Sequence, residues 1–439
     1  MNLTVAPGTP LIGEVIPPGD KSISHRAALF AALAEGESLI EGFLVSGVTQ
    51  VMLAALQELG VPWALDENIL HIKGQGLAGL RLPSHVIDCG NSATTLRFLA
   101  GALAAAGLPA VLDGSPGLRL RPMARILQPL REMGVAIEAA PGETVPLHLG
   151  ARKPGRKLLP LEYTLPVASA QLKTCLLLAA LAASGPTTLH EMALSRDHSE
   201  RLLRVMGVPV EICQSAQTSS VKLYPAERLS PLRLRIPGDF SSAAFLIVAA
   251  LITPGSAARL IGVGLNPTRT GLLDILKEMG ADIQVVSRME QDGEPVGDLF
   301  VSYSALHGVQ VDGQTVVRMI DEFPALAIAA AYAKGVTRVR GAIELRYKES
   351  DRIASLCKQL HTLGVNATEL QDGFTIRGGR PIRGGIVDPQ GDHRLAMALA
   401  ISGLAAQEPV TVLEAGIIAE SYPGFPSALR ALGASIRFS

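Results

Sequence analysis

Apolar and polar positions along this chain follow a pattern that returns six times. Each return closes a helical-looking stretch on a large apolar residue followed by glycine: Leu59-Gly60, Met133-Gly134, Met206-Gly207, Met279-Gly280, Leu363-Gly364 and Leu432-Gly433, spaced 74, 73, 73, 84 and 69 residues apart. A strand-like run follows each. Upstream of each lies an Ala-rich helix closed by Gly or Pro, and then a short run rich in β-formers at 36–43, 109–114, 186–191, 256–262, 336–341 and 409–414. Self-similarity on this scale is an architectural signal, and its period is too long for the common solenoids. The pattern predicts six α/β units.

The repeats fall into two groups of three. Pro18-Gly19-Asp20 opens the first group and Pro237-Gly238-Asp239 the second, which puts a domain boundary near Ile236. A chain of 439 residues exceeds what one hydrophobic core organises, and two domains of roughly 200 residues are expected.

The Ala-rich helices start in polar turns: residues 20–26, 90–94, 168–173, 238–242, 320–324 and 391–394. Ser, Asn, Asp and Gly are helix N-caps, so simple capping accounts for each turn taken singly. Their cations point further. Lys21, Arg26 and Arg394 stand where positive charge opposes the helix dipole, at a cost of roughly 0.3–1 kcal/mol each. An anion bound between such a cation and the backbone N–H groups would offset that cost. Arg119, Arg121, Arg196, Lys348 and Arg352 add positive charge in the segments between helices. Helices aimed at one cleft would converge these cations on small polyanionic substrates. Two carboxylates accompany them. Asp321 reads either as an N-cap or as a binding and acid–base group. Glu349, beside Lys348, reads either as a surface ion-pair residue or as a carboxyl held near a reacting proton.

Composition narrows the field. Net charge is −1, with 39 Lys+Arg against 40 Asp+Glu, so no basic field argues for nucleic acid and any anion site is local. Aromatics make up 4% and hydrophobic residues 48%, a composition for an aliphatic core and not for base stacking. The apolar helices are too short and too broken by Gly or Pro to span a bilayer, and residues 1–13 lack a signal or transit pattern. A soluble cytoplasmic protein with no membrane or nucleic-acid partner is expected. Cys89, Cys175, Cys213 and Cys357 are far apart and without metal-ligand spacing, and read as reduced, mostly buried thiols.

The motifs Pro18-Gly19-Asp20-Lys21-Ser22-Ile23-Ser24-His25-Arg26, Gly90-Asn91-Ser92-Ala93-Thr94, Arg121-Pro122-Met123, Ser169-Ala170-Gln171, Lys348-Glu349-Ser350-Asp351-Arg352 and Asp392-His393-Arg394 resemble, in order and over nearly the whole chain, the signatures of the 5-enolpyruvylshikimate-3-phosphate synthases, in wording like the bacterial class II branch. The resemblance implies an α/β fold of two domains, each built from three βαβαββ repeats, with the active site in the interdomain cleft. Domain limits of 21–236, and of 1–20 plus 237–439, go with it. It implies transfer of the enolpyruvyl group of phosphoenolpyruvate to the 5-hydroxyl of shikimate 3-phosphate, releasing phosphate, by a monomer that uses no metal and no cofactor.

Carried over by motif, Lys21, Ser22, Arg26, Ser169, Ala170, Gln171, Arg196, Asp321 and Lys348 would bind shikimate 3-phosphate. Lys21, Asn91, Ala93, Arg121, Gln171, Arg352 and Arg394 would bind phosphoenolpyruvate. The catalytic set would be Asp321, taking the 5-hydroxyl proton, Glu349, delivering a proton to the methylene carbon, and Lys21 between the two ligands. Two positions depart from the pattern: Glu420, where many relatives place Lys, and Ala93, where herbicide-sensitive members carry Gly. The second makes glyphosate a weak competitive inhibitor. The rival readings are the related transferase acting on UDP-N-acetylglucosamine, whose reactive-Cys loop and Lys-Asn start fit poorly with Cys89 and Lys21-Ser22, and a non-catalytic repeat scaffold.

Overall fold

Each polar turn marked in the sequence starts a helix. In the computed structural model, which describes residues 1–215 and 218–439, the six Ala-rich segments form helices Lys21–Leu33, Ala93–Ala106, Ala170–Ala180, Phe240–Ile252, Phe323–Tyr332 and His393–Ser402. Side-chain oxygens of Asp20, Ser92, Ser169, Asp239 and Asp392 accept backbone N–H groups of the first turn, satisfying donors that the helix itself leaves over. The fifth helix lacks such a side-chain cap and has Pro324 in its first turn, where the fixed φ of proline favours helix. Small side chains let these helices be enclosed: every residue of Phe240–Ile252 is buried.

The second helix of each repeat is one-sided and, in every repeat but the fifth, shorter. These are Gly47–Glu58, Ala124–Glu132, His198–Val205, Gly271–Glu278, Arg352–Thr362 and Phe425–Ala431. Gly271–Glu278 buries Leu272, Leu273, Ile275 and Leu276 while Asp274 and Lys277 stay exposed. The C-cap of each is the predicted Leu or Met, and the glycine after it has φ between +74° and +106°, a left-handed conformation that stops a helix cheaply only at Gly.

Strands complete the repeat. In the second one, Ile87–Asp88 pairs parallel with Ala110–Asp113, which pairs antiparallel with Thr144–Leu149, itself in a hairpin with Ile137–Ala140. With its two helices this is βαβαββ. All six sheets are four-stranded in the same order, but three of them take a strand from elsewhere. Arg233–Arg235 pairs with Glu35–Glu41 of the first repeat, Ile12–Val15 with Ala257–Gly264 of the fourth, and Leu3–Ala6 inserts between Val410–Val412 and Ser435–Phe438 of the sixth. The chain accordingly divides into Met1–Pro18 with Pro237–Ser439, and Gly19–Ile236, each with its own apolar core. Gly19 and Asp20, which the sequence reading grouped with the C-terminal half, go with the other unit because Asp20 caps the helix at Lys21. Cys89, Cys175 and Cys357 are buried and Cys213 is exposed, all as free thiols. No helix among the described residues is long and apolar enough to cross a membrane.

Close packing of two buried helices depends on Gly101. A Cβ there would lie 2.2 Å from the carbonyl oxygen of Cys175 in helix Ala170–Ala180. That contact outweighs the helix propensity of about 1 kcal/mol that Ala would add. Gly101→Ala should therefore destabilise the protein by about 1–3 kcal/mol, read as a lower urea midpoint. An unchanged or raised midpoint would show that these helices tolerate a wider separation.

Candidate active site

In the unit Gly19–Ile236 the first helix presents Lys21 and Ser22 as its first two residues, both half-buried. Arg26 departs from expectation. It lies in the second turn and is 2% exposed, so it sits past the N-terminal turn whose dipole it was thought to oppose. Its Nε donates to Ser199 Oγ (2.7 Å), Nη1 to the Ser22 carbonyl (2.9 Å) and Nη2 to Thr174 Oγ1 (3.0 Å), and its guanidinium stands 4.8 Å from the Phe98 ring centroid. Arg26 thus ties three helices together behind Ser22. Arg196 Nη1 reaches Ser22 Oγ at 3.4 Å. Lys21, Ser22 and Arg196 therefore form one polar, cationic group.

A second group surrounds Gln171. Ser169 caps its helix, Ala170 is the first helical residue and Gln171 the second. Gln171 Nε2 donates to Thr94 Oγ1 at 2.8 Å, and its Oε1 accepts from Arg97 Nη1. Arg97 also donates to the Pro122 carbonyl at 3.1 Å, next to half-buried Arg121. Arg97 therefore joins the 92–94 turn, the 169–171 turn and the Arg121 loop. It escaped the sequence reading, though the signal was there: a lone charge in an apolar helix, one turn beyond Ala93. Asn91 is exposed, with Oδ1 accepting from Ser115 Oγ at 3.2 Å. Ala93 opens its helix and is 3% exposed within the apolar core. Arg119 is turned to another use, in an ion pair with Asp113.

The other unit gathers Asp321, Lys348, Glu349, Arg352, Asp392 and Arg394. Asp321 is not the N-cap of the fifth helix; that position belongs to Glu322. Instead its carboxylate meets three cations: Lys348 Nζ at 3.4 Å, Arg352 Nη1 at 3.5 Å and Arg394 Nη2 at 3.8 Å. Glu349 is ion-paired, but to a buried partner. Its Oε2 accepts from Nη2 of the buried Arg352 at 2.6 Å. Arg352 Nε donates to Asp392 Oδ2 at 2.7 Å, while Oδ1 of the same carboxylate caps the Arg394 helix. Burial opposes the charge on Arg352, but Asp392, Glu349 and Asp321 outweigh it and hold its pKa above the ordinary value. Burial likewise pushes the Asp392 carboxyl up, and Arg352 overcomes that and holds it below the usual range. Asp392 and Arg352 are thus charged partners. Glu420 ends the 3₁₀ helix Ala415–Glu420, half-buried.

Each unit thus gathers cationic side chains near its helix starts, and in the second Asp321 and Glu349 stand among them. Residues 5–429 match the family model of EPSP synthase (3-phosphoshikimate 1-carboxyvinyltransferase). The chain belongs to the EPSP synthase family. It is 43% identical over 431 residues, 98% of each chain, to a 3-phosphoshikimate 1-carboxyvinyltransferase of Pelobacter propionicus. A namesake from Acidithiobacillus ferrooxidans is 47% identical over 430 residues, covering 98% of this chain and 97% of that one. Among solved structures, EPSP synthase from Acinetobacter baumannii superposes with a TM-score of 0.88 at 38% identity, covering 100% of this chain and 99% of the other. The chain is therefore a transferase of the shikimate pathway of aromatic amino acid biosynthesis, with the two-domain EPSP synthase fold expected from its motifs.

His25, one turn beyond Lys21, gives this region a pH dependence. Burial, reinforced by the charges of Lys21 and Arg26, pulls its pKa down to about 4 against a 2.8 Å hydrogen bond to the Lys21 carbonyl. The ring is neutral and donates through Nδ1. Unfolded, it titrates near 6.5. Between these values the unfolded chain binds the extra proton, so stability is fully present above about pH 6.5 and falls as pH drops toward 4, by up to about 3 kcal/mol. His25→Gln should flatten the stability–pH curve across that window in urea titrations. An identical slope in the variant would show that His25 is not the group responsible.

Proposed function

We propose that Lys21, Ser22, Arg26, Ser169, Ala170, Gln171, Arg196, Asp321 and Lys348 bind shikimate 3-phosphate, and that Lys21, Asn91, Ala93, Arg121, Gln171, Arg352 and Arg394 bind phosphoenolpyruvate. Asp321, Glu349 and Lys21 carry the chemistry. The observation that supports this reading most strongly is the pair of carboxylates, Asp321 and Glu349, on the shared cation Arg352, with Lys348 and Arg394 also against Asp321. A purely structural ion-pair network gives no reason for both acids to stay partly accessible, at 17% and 22% side-chain exposure, while Arg352 and Asp392 beside them are sealed in.

Phosphoenolpyruvate brings its own negative charge to Arg352. Once that anion takes the place of Glu349 on the guanidinium, the carboxylate loses its counter-charge and accepts a proton more readily. Protonated Glu349 then delivers that proton to the methylene carbon as Asp321 accepts the proton of the 5-hydroxyl. The hydroxyl oxygen bonds to the adjacent carbon, giving a tetrahedral intermediate that still carries phosphate. Glu349 next removes a proton from the new methyl group, the carbon–oxygen bond to phosphate breaks, and the proton on Asp321 leaves with phosphate. Lys21, half-buried at its helix start beside Ser22, stabilises charge between the two ligands.

The direct test is phosphate release from phosphoenolpyruvate with either shikimate 3-phosphate or UDP-N-acetylglucosamine as acceptor. Release with the first only is expected. Release with the second would favour the rival transferase, and release with neither the scaffold reading. Glu349→Gln should lower kcat by about 10²–10⁴-fold with little change in shikimate 3-phosphate affinity, by steady-state kinetics and calorimetry. Normal turnover would reduce Glu349 to a structural partner of Arg352.

Ala93 sets the response to glyphosate. It is nearly enclosed, so a pocket wall formed there has little room to yield, and one carbon in such a wall is felt at roughly 1–3 kcal/mol. The native enzyme should tolerate glyphosate, and Ala93→Gly should restore sensitivity with little change in substrate use. Equal inhibition constants for the two forms would remove Ala93 from the pocket.

A further inference from the structure

Lys173 is an unexpected charge. It is the fourth residue of helix Ala170–Ala180, is 1% exposed, and lies among buried Leu172, Cys175, Leu176 and Leu177. Its ammonium meets two carboxylates, Glu191 Oε2 and Glu200 Oε1, each at 2.7 Å and each from a residue 1% exposed. A buried ionic cluster is poor evidence of a stability gain, because apolar residues of the same volume commonly do as well. Its use is better sought in what it holds in place.

The two acids bracket one segment. Glu191 is the last residue of strand Thr187–Glu191, and Glu200 lies in the first turn of helix His198–Val205. Residues 192–197 run between them and carry Arg196. Within that segment Ser195 Oγ donates to the remaining oxygen of Glu191, Oε1. On the other side of Arg196, Asp197 accepts from Arg201 Nε at 2.9 Å. Both ends of the Arg196 segment, and the residue preceding Arg196, are therefore hung on one ammonium. That ammonium projects from the helix whose first turn presents Ser169, Ala170 and Gln171. Thr174, next to Lys173, repeats the connection: its hydroxyl lies 2.5 Å from Ser199 Oγ and accepts from Arg26 Nη2 at 3.0 Å.

We propose that Lys173, Glu191, Glu200 and Ser195 are positioning residues for shikimate 3-phosphate recognition, a buried clamp that fixes Arg196 against Ser22 and the Ser169–Gln171 turn. The inference rests on the reading of Arg196 as a ligand of shikimate 3-phosphate. Burial opposes the charge on Lys173, but Glu200 and Glu191 overcome it and raise its pKa, while burial holds the Glu200 carboxyl above its ordinary range against the pull of Lys173.

Binding of shikimate 3-phosphate to the full-length enzyme, measured by calorimetry alongside steady-state kinetics, tests this in three variants. Ser195→Ala leaves the three buried groups in place and releases only the loop. Its Kd and KM for shikimate 3-phosphate should rise about tenfold, the worth of one good hydrogen bond, with kcat at saturation and the KM for phosphoenolpyruvate unchanged. Lys173→Met alone would strand two buried carboxylates, so it is combined with Glu191→Gln and Glu200→Gln. That combination should fold and bind shikimate 3-phosphate at least as weakly as Ser195→Ala; if it does not fold, Ser195→Ala decides. Arg196→Ala separates the two levels of the argument. If it weakens binding while the other variants bind normally, the clamp is overturned and the ligand reading stands. If it binds normally, the ligand reading falls and the clamp with it.

Discussion

A helix enclosed on every side can meet a ligand only at its ends. That constraint shapes this protein, because its six Ala-rich helices spend their flanks on the two cores and leave their polar N-terminal turns as the places where side chains of several repeats can gather. Those turns carry backbone N–H groups and the positive end of the helix dipole. Lys21 and Arg394 add full charges in the first turn, and Arg352 opens the neighbouring amphipathic helix in the same way. Repeating one βαβαββ unit thus repeats one kind of anion-ready terminus, and chemistry is installed by changing a few residues at each.

A chain of net charge −1 can hold such termini only if their cations are locally balanced. In the unit that contains Asp321 the balance is made by carboxylates: Asp392, Glu349 and Asp321 all contact Arg352. Asp392 is sealed in and fixes the guanidinium. Glu349 and Asp321 are more accessible, and in the proposed reading an arriving anion exchanges partners with them and does not enter an uncompensated positive field. That exchange would couple binding to acid–base chemistry, since a carboxylate displaced from an arginine takes up a proton more readily.

The helix ends were the most legible part of the sequence. A left-handed glycine after Leu or Met and a capping oxygen before an Ala-rich run are local signals, and both are realised in the structure. The borrowed strands were not legible, because Leu3–Ala6, Ile12–Val15 and Arg233–Arg235 are three- or four-residue segments whose pairing partners lie far off in sequence. The site divides in the same way. Taken alone, Asp321 and Glu349 fitted capping and surface pairing as well as they fitted catalysis; the N-cap at Glu322 excludes capping by Asp321, and the partner of Glu349 is the buried Arg352. Arg97 and Lys173 could not be assigned from sequence, because their partners, Gln171 and Pro122 for one and Glu191 and Glu200 for the other, are brought to them only by the fold.

The central claim is that Glu349 passes a proton to and from the methylene carbon of phosphoenolpyruvate when shikimate 3-phosphate is also bound. Exchange of the methylene hydrogens with deuterium from solvent, followed by NMR in the presence of both substrates, addresses it directly. The account predicts ready exchange in the native enzyme that depends on shikimate 3-phosphate and is lost in Glu349→Gln. Undiminished exchange in that variant would contradict it and require another residue to carry the proton.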